Sequence, residues 1–310
     1  SMISVQKLNK SYAQQQVLHT LNFAIAKGEC YGLLGPNGAG KSTTVGILCG
    51  MTNPDSGEVT LGTYSLPKQA PDAKKIIGLV PQEIALYQEL SPEDNLLFWG
   101  GLYQLSKREI QEQSDYWLKR FGLYEKRTQK IKTFSGGMKR RVNIASALMH
   151  RPSILFMDEP TVGVDPQSRN LIYEVIQELK NSGMTILYTT HYMEEAERFC
   201  DRIGIIDKGH LIAEGTLNEL RQAHGLQQQI ILKGHGITTL HVEQLKKQWP
   251  DCSQQGEDTL SIATNDPNGD LSRLVISCHQ AGIEIQHLEI VPVNLEMIFL
   301  HLTGKQLRDE

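Results

Sequence analysis

Residues Gly35, Pro36, Asn37, Gly38, Ala39, Gly40, Lys41 and Ser42 spell G-x-x-x-x-G-K-[ST]. The apolar run Cys30–Leu34 before them reads as a short buried strand, and Thr43 to Leu48 reads as a helix. Strand, glycine loop and helix is the context in which this pattern cradles phosphate. The glycines let backbone N–H groups close around phosphate oxygens, and the helix start adds a field that favours an anion. Lys41 is placed to reach the β- and γ-phosphates, and Ser42 to offer its hydroxyl to Mg²⁺. The bland alternative is a glycine turn with a solvated lysine. A chance match in a chain this long arises in roughly 1% of cases, so a bound nucleoside triphosphate is the expectation.

A second pattern carries acids. Ile154-Leu-Phe-Met157 is an apolar strand that ends in Asp158 and Glu159. Neighbouring side chains on a strand point to opposite sides, so the two carboxylates have different tasks. Asp158, aligned with the strand, suits the coordination sphere of Mg²⁺ beside Ser42. Glu159, turned into the loop, is placed to take a proton from an attacking water. A third pattern, Phe134-Ser135-Gly136-Gly137-Met138, opens a helix that runs to about Met149. Ser135 caps it and the paired glycines let the helix start approach an anion closely. A flexible turn would also read this way, but a second phosphate-seeking helix start in one chain calls for a reason.

These residues need a scaffold, and hydrophobic spacing predicts one. Residues 2–26 alternate as half-exposed antiparallel strands do, and 57–62 and 76–80 add further strands. From 84 to 150 the pattern is helical. Ser91-Pro92-Glu93-Asp94 and Ser106-Lys-Arg-Glu109 read as helix starts. Behind the second, Ile110, Ser114, Trp117 and Phe121 share a face, and Gly122 ends the helix. Strands return at 153–157 and 185–189 as continuous apolar runs, joined by a helix from Pro166 to Asn181 carrying Leu171, Val175 and Leu179, as in a covered parallel sheet. Residues 203–207 and 210–214 read as a closing hairpin. Beyond Gly225 the spacing predicts strand, helix, strand, helix, strand and helix over 230–303, a small α+β domain of ferredoxin-like plan.

Taken in chain order, the motifs resemble the ATP-binding-cassette (ABC) ATPase family across about residues 3–220. Gly35–Ser42 resembles its Walker A loop, Ile154–Glu159 its Walker B strand with the catalytic glutamate, and Ser135-Gly136-Gly137 its signature. Val80-Pro81-Gln82 resembles the Q-loop, Gly163-Val164-Asp165 the D-loop, and Thr190-His191 the switch histidine, while Tyr12 stands where the family stacks an aromatic ring on adenine. The resemblance implies an α/β fold: a P-loop NTPase cassette with a mixed sheet core, an antiparallel β-subdomain and a helical subdomain at about 84–150. It implies a cassette over 2–224 and a small accessory α+β domain over 225–310. It also implies ATP hydrolysis with Mg²⁺. Gly35 to Thr43 would bind the phosphates and Ser42, Gln82 and Asp158 the metal. Glu159, His191, Gln82 and Lys41 would do the chemistry. Two cassettes would pair head to tail, Ser135, Gly136, Gly137 and Asp165 meeting the nucleotide on the partner's Lys41.

Departures from the family's commonest pattern are Met138, where Gln is usual, Phe134, where Leu is common, and the bulky Val162 and Val164 of the D-loop. Met138 implies altered nucleotide affinity rather than lost activity. Lys139-Arg140-Arg141 reads as a solvated helix face. Glu159 to Gln167 and the run Asn294–Gly304 with Lys305–Asp309 resemble the drug-resistance branch of bacterial export ATPases.

The balance of the chain agrees with that class. It has 310 residues, 40% hydrophobic and 21% charged, enough for a large domain and a small one. A net charge of −4 and a pI near 6.2 argue against a nucleic-acid partner. Cys30, Cys49, Cys200, Cys252 and Cys278 show no C-x-x-C spacing and read as reduced thiols. No apolar stretch is long enough to span a bilayer, no leader is evident, and Ser1 ahead of Met2 reads as a remnant of tag removal. The expected place is therefore cytoplasmic, peripheral on the inner face of the bacterial plasma membrane, with a separate permease docking near Gln82–Phe98 through Ile84, Leu86, Tyr87, Leu90 and Phe98. A soluble ABC mechanoprotein acting on a macromolecular complex is the alternative. A P-loop kinase or GTPase would leave the Ser-Gly-Gly motif unexplained.

Overall fold

A computed structural model describes residues 1–256 and 258–304. The chain forms two compact units, the first over Ser1–Thr216 and the second beginning at Leu217. Lys305–Asp309, read above with the tail, lies outside the described residues.

The first unit opens with β1 (Ile3–Tyr12), β2 (Gln15–Ile25), β3 (Cys30–Leu34) and α1 (Lys41–Leu48). β4 (Ser56–Leu61), β5 (Tyr64–Leu66), α2 (Ala70–Ala73) and β6 (Ile77–Val80) follow. Next come the helices α3 (Pro92–Leu102), α4 (Lys107–Arg120) and α5 (Gly136–Leu148). The unit closes with β7 (Ile154–Asp158), α6 (Pro166–Asn181), β8 (Thr185–Thr190), α7 (Met193–Phe199), β9 (Arg202–Asp207) and β10 (His210–Gly215).

Two sheets result. One is antiparallel, in the order β2-β1-β4-β5, and the other has six strands in the order β10-β9-β3-β8-β7-β6. The second is parallel from β9 to β6, with β10 antiparallel to β9, so the sheet is mixed. Its central strands β3, β7 and β8 are buried along their whole length, as unbroken apolar runs require. Alternate residues of β7 serve different cores. Ile154 and Phe156 pack with the antiparallel sheet and α1, whereas Leu155 and Met157 pack with α4, α5 and α6. That is the two-residue period of a strand used on both faces.

Local sequence sets the helix starts. Ser91 and Ser106 each form a capping box, with Asp94 and Glu109. On α4, Ile110, Ser114 and Trp117 are buried together and Gly122 stops the helix at φ +65°. α6 has the expected bounds, but Ile172 rather than Leu171 takes the fully buried position. The helix turns the larger apolar face, with Val175, Ile176 and Leu179, toward the core.

The second unit contains α8 (Leu217–Ala223), β11 (Gln228–His235), α9 (Thr239–Lys246), β12 (Ser253–Gln254), β13 (Thr259–Thr264), α10 (Pro267–Gln280), β14 (Glu284–Val291) and α11 (Leu295–Thr303). Its antiparallel sheet runs β12-β13-β11-β14, the order produced by a β-α-β-β-α-β succession. It has its own core, built on Ile230, Leu232, Leu260, Ile262, Leu274 and Cys278.

Candidate functional site

Four parallel strands end side by side, and each runs directly into a residue singled out by the sequence. β3 leads into Gly35, β6 into Pro81 and Gln82, β7 into Glu159 and β8 into His191. Their heights are fixed by register, with Leu34 opposite Thr190, Asp158 opposite Thr189 and Val80 opposite Met157. The carboxyl end of a parallel sheet is where such folds bind ligands.

The loop from β3 to α1 turns through Gly40 at φ +108°, a conformation open to glycine at little cost. A cavity of about 330 Å³ opens beside it. Asn37, Gly38, Gly40, Lys41, Ser42 and Thr43 line it from the loop and α1, and Val17, Gln82 and Glu159 from elsewhere. Pro36 and Ala39 shape the turn, with the Ala39 N–H donating to the Pro36 carbonyl at 3.1 Å. Gly35 joins the loop to the sheet through its N–H, 3.4 Å from the Thr190 carbonyl.

Lys41 is buried, and its Nζ donates to the carbonyls of Gly35 at 2.7 Å and Pro36 at 3.1 Å. The same ammonium lies 2.9 Å from Glu159 Oε1, while His191 Nδ1 stands 3.2 Å from Glu159 Oε2. Lys41, Glu159 and His191 therefore form one continuous cluster. Glu159 sits at φ +47°, a left-handed conformation that costs a non-glycine residue on the order of 1–3 kcal/mol. Its N–H is held at 3.1 Å by both the carbonyl and the hydroxyl of Thr189, so the conformation is enforced from the neighbouring strand. Asp158 is buried and accepts from Thr189 Oγ1 at 2.6 Å. It does not line the cavity.

Tyr12 lies at the end of β1, 48% exposed, with the Lys10 ammonium 5.3 Å from its ring centre. It is not a lining residue of the cavity. Neither are Ser135, Gly136, Gly137 and Asp165, which cluster separately at two helix starts. Ser135 caps α5 by accepting from the Met138 N–H at 3.2 Å. Asp165 caps α6 by accepting from the Ser168 N–H at 2.9 Å. That backbone hydrogen bond holds the Asp165 carboxyl below its usual range. Gly137 is small because α6 starts against it: a Cβ there would collide with Asp165 and Ser168. Met138 packs on the apolar core and Phe134 is buried in it, which accounts for two apolar residues in the signature.

One sequence expectation is overturned. Arg140 and Arg141 are not a solvated face. Arg140 is 5% exposed, donating to the carbonyls of Pro81, at 2.6 Å, and of Gln82. Arg141 donates to the Phe121 carbonyl at 2.7 Å. Burial pulls both guanidinium groups below their usual range. The helix that begins at Ser135 is thereby fastened to the segment that carries Gln82. No local signal announces this, because a basic triplet on a helix looks the same whether water or carbonyl groups surround it.

A second cavity, of about 320 Å³, is lined by Met51, Leu79, Pro81, Trp99, Tyr103 and Asn143, among others. Among the described residues, Trp99 Nε1 and Asn143 Nδ2 are buried without a hydrogen-bond partner. Of the apolar residues expected to receive a partner, none lines this cavity. Tyr87, Leu90 and Phe98 are exposed nearby in sequence, and Ile84 and Leu86 are half-buried.

Residues 18–162 match the ABC transporter family. The chain is 43% identical to the linearmycin resistance ATP-binding protein LnrL of Bacillus subtilis, over 99% of this chain and 100% of that one. It is 37% identical to the Nod factor export ATP-binding protein I of Cupriavidus pinatubonensis, over 100% and 93%. Among solved structures, a dimeric ATP-binding cassette in a post-hydrolysis state with ADP and Pi superposes with a TM-score of 0.64 and 27% identity, over 70% of this chain and 99% of that one. With the phosphate loop and Glu159 lining one cavity, His191 3.2 Å from Glu159, and relatives matched from end to end, this chain belongs to the ABC transporter family and is an ATP-binding ATPase of it.

Proposed function

We propose that this chain is the ATP-hydrolysing subunit of a bacterial exporter, dimerising around two ATP molecules to drive a separate membrane permease. One observation carries the dimer: the groups that seek phosphate are divided. Lys41 and its loop line the cavity, whereas Ser135, Gly136 and Gly137 do not. A second copy turned head to tail would bring Ser135 and its glycines, with Asp165 beside them, to the γ-phosphate held by Lys41. The dimeric solved relative supports this, and the resistance and export functions named for the sequence relatives support transport.

In the proposed site, backbone groups from Gly35 to Thr43 hold the phosphates and Tyr12 stacks on adenine. Lys41 exchanges Glu159 for phosphate oxygens. Glu159, released, takes the proton of the attacking water as its oxygen bonds to the γ-phosphorus and the bond to the ADP oxygen breaks. His191 holds the γ-phosphate and Gln82 orients the water. Ser42 and Gln82 line the cavity, and Asp158 adjoins Glu159, a set of hard oxygen donors that fits Mg²⁺ when phosphates and waters complete its shell. Bound there, Mg²⁺ neutralises charge on the β- and γ-phosphates.

The permease would dock on the helical subdomain near Gln82–Phe98. The second cavity supports this, because Trp99 and Asn143 offer unmet N–H groups to the carbonyl oxygens of an incoming helix end. No helix among the described residues is long and apolar enough to cross a membrane. This fits a subunit held peripherally at the inner face of the plasma membrane. Residues 2–224 would form the cassette and 225–310 an accessory domain that stabilises the dimer or regulates hydrolysis.

Light scattering on Glu159→Gln tests the reading, with Mg²⁺-free ATP, with Mg²⁺-ATP and without nucleotide. A dimer that needs ATP and is abolished by Ser135→Arg is the expected result. A monomer under every condition refutes a self-sufficient homodimer. ATPase stimulation by a co-expressed permease separates an exporter from a soluble mechanoprotein, which a permease would leave unstimulated.

A further inference from the structure

Glu195 lies on α7, four residues past His191, and is 3% exposed. Its carboxylate accepts four hydroxyl hydrogen bonds. Oε1 receives Thr161 Oγ1 at 2.5 Å and Tyr173 OH at 2.7 Å. Oε2 receives Thr190 Oγ1 at 2.8 Å and Tyr188 OH at 2.9 Å. A buried carboxylate is expensive unless its lone pairs are filled, and here four donors fill them.

The origin of those donors matters more than their number. Thr161 is two residues beyond Glu159, in the loop that leads to Asp165, and Tyr173 is on α6, which Asp165 caps. Tyr188 and Thr190 are on β8, and Thr190 immediately precedes His191. Thr190 Oγ1 also accepts from the Tyr192 N–H at 2.9 Å, so both flanks of His191 are held. One carboxylate thus ties the segment carrying Glu159 to the segment carrying His191, whose side chains meet at 3.2 Å.

We propose that Glu195 is a positioning residue for ATP hydrolysis, setting Glu159 and His191 in mutual register from behind the site. It touches neither the cavity nor Lys41. Its effect is therefore chiefly on the rate of the chemical step, and little on nucleotide binding, which rests on Lys41 and its loop. The proposal rests on the reading above, that Glu159 and His191 perform the hydrolysis.

The test is steady-state ATPase activity and nucleotide affinity of the full chain with Glu195→Gln, which keeps the shape but turns one acceptor into a donor. A small displacement of reacting groups costs up to about 100-fold in rate, so kcat is expected to fall about 10–100-fold. The dissociation constant for ATP is expected to stay within about threefold, since Lys41 and the loop that carry most of the phosphate contacts are unchanged and His191 is displaced but kept. In a His191→Ala background, Glu195→Gln should add little, because residues that act through one another are not additive. Multiplicative losses in the double variant, parallel loss of affinity and kcat, or wild-type kcat would each overturn the proposal. If Glu195→Gln does not fold, Tyr173→Phe and Thr190→Val each remove one hydroxyl. Lower kcat at unchanged affinity in both supports the role, and wild-type kcat in both overturns it. Glu159→Gln and His191→Ala are measured alongside. Wild-type turnover in either refutes the underlying site, a failure distinct from that of Glu195.

Discussion

Glu159 shows how much one residue can be asked to do. Its backbone is held at φ +47° and its two oxygens face Lys41 and His191. Replacing it with Gln removes the base, which typically costs about 10²–10⁴ in rate. The same change frees Lys41 and removes a negative charge beside the phosphates, so ATP is expected to bind more tightly. Single-turnover hydrolysis and equilibrium dialysis measure the two effects, and weaker binding would contradict the pairing. Lys41→Ala leaves Glu159 buried beside His191 alone. Breaking such a pair costs on the order of 3 kcal/mol, and the double variant Lys41→Ala/Glu159→Gln should recover part of it in urea melts. A double variant less stable than Lys41→Ala would show that the pair is not what stabilises the site. Both residues were singled out by their own motifs. Their contact was not, because nothing in either motif specifies a side-chain partner from a strand far along the chain.

At the scale of elements, the important joint is between the starts of α5 and α6. Gly137 reads in the sequence as a glycine that lets an anion approach, yet within this chain its missing side chain makes room for Asp165 and Ser168. Gly137→Ala is expected to cost about 1–3 kcal/mol by overpacking and to disturb the Asp165 cap. Chemical denaturation followed by ATPase assay measures it, and an unchanged midpoint would place the contact elsewhere. The Asp165 carboxyl is held low by the Ser168 N–H. Its cap therefore contributes fully above the unfolded value near 3.9 and is lost as pH falls through the lower folded value. Asp165→Asn should flatten that part of the acid limb of stability, and an identical limb would remove the cap from the account. Helix starts were the most legible elements, since Ser91, Ser106 and Ser135 cap through residues three positions away. Arg140 was misread for the opposite reason: its partners, the Pro81 and Gln82 carbonyls, come from a different element.

For the whole molecule, every residue lining the cavity beside the phosphate loop lies before Thr216, and the second unit buries a core of its own. Leu232→Ala, at a fully buried position of that core, is expected to cost about 2–5 kcal/mol while leaving ATP affinity unchanged. Calorimetric melting and ATP titration check both halves, and a loss of affinity would refute the independence of the site. The sequence by itself determined the phosphate loop, the acidic strand end, the capped helices and the strand–helix succession. Each is written in residues close together in the chain, where backbone geometry and spacing suffice. Only the tertiary structure decided which side chains meet. The parallel order β3-β8-β7-β6 places Gly35, His191, Glu159 and Gln82 at adjacent strand ends, and the Lys41 ammonium returns from the start of α1 to the Gly35 carbonyl. Burial then selects partners for Arg140 and Glu195, because a charged group removed from water must find hydrogen bonds wherever the fold supplies them.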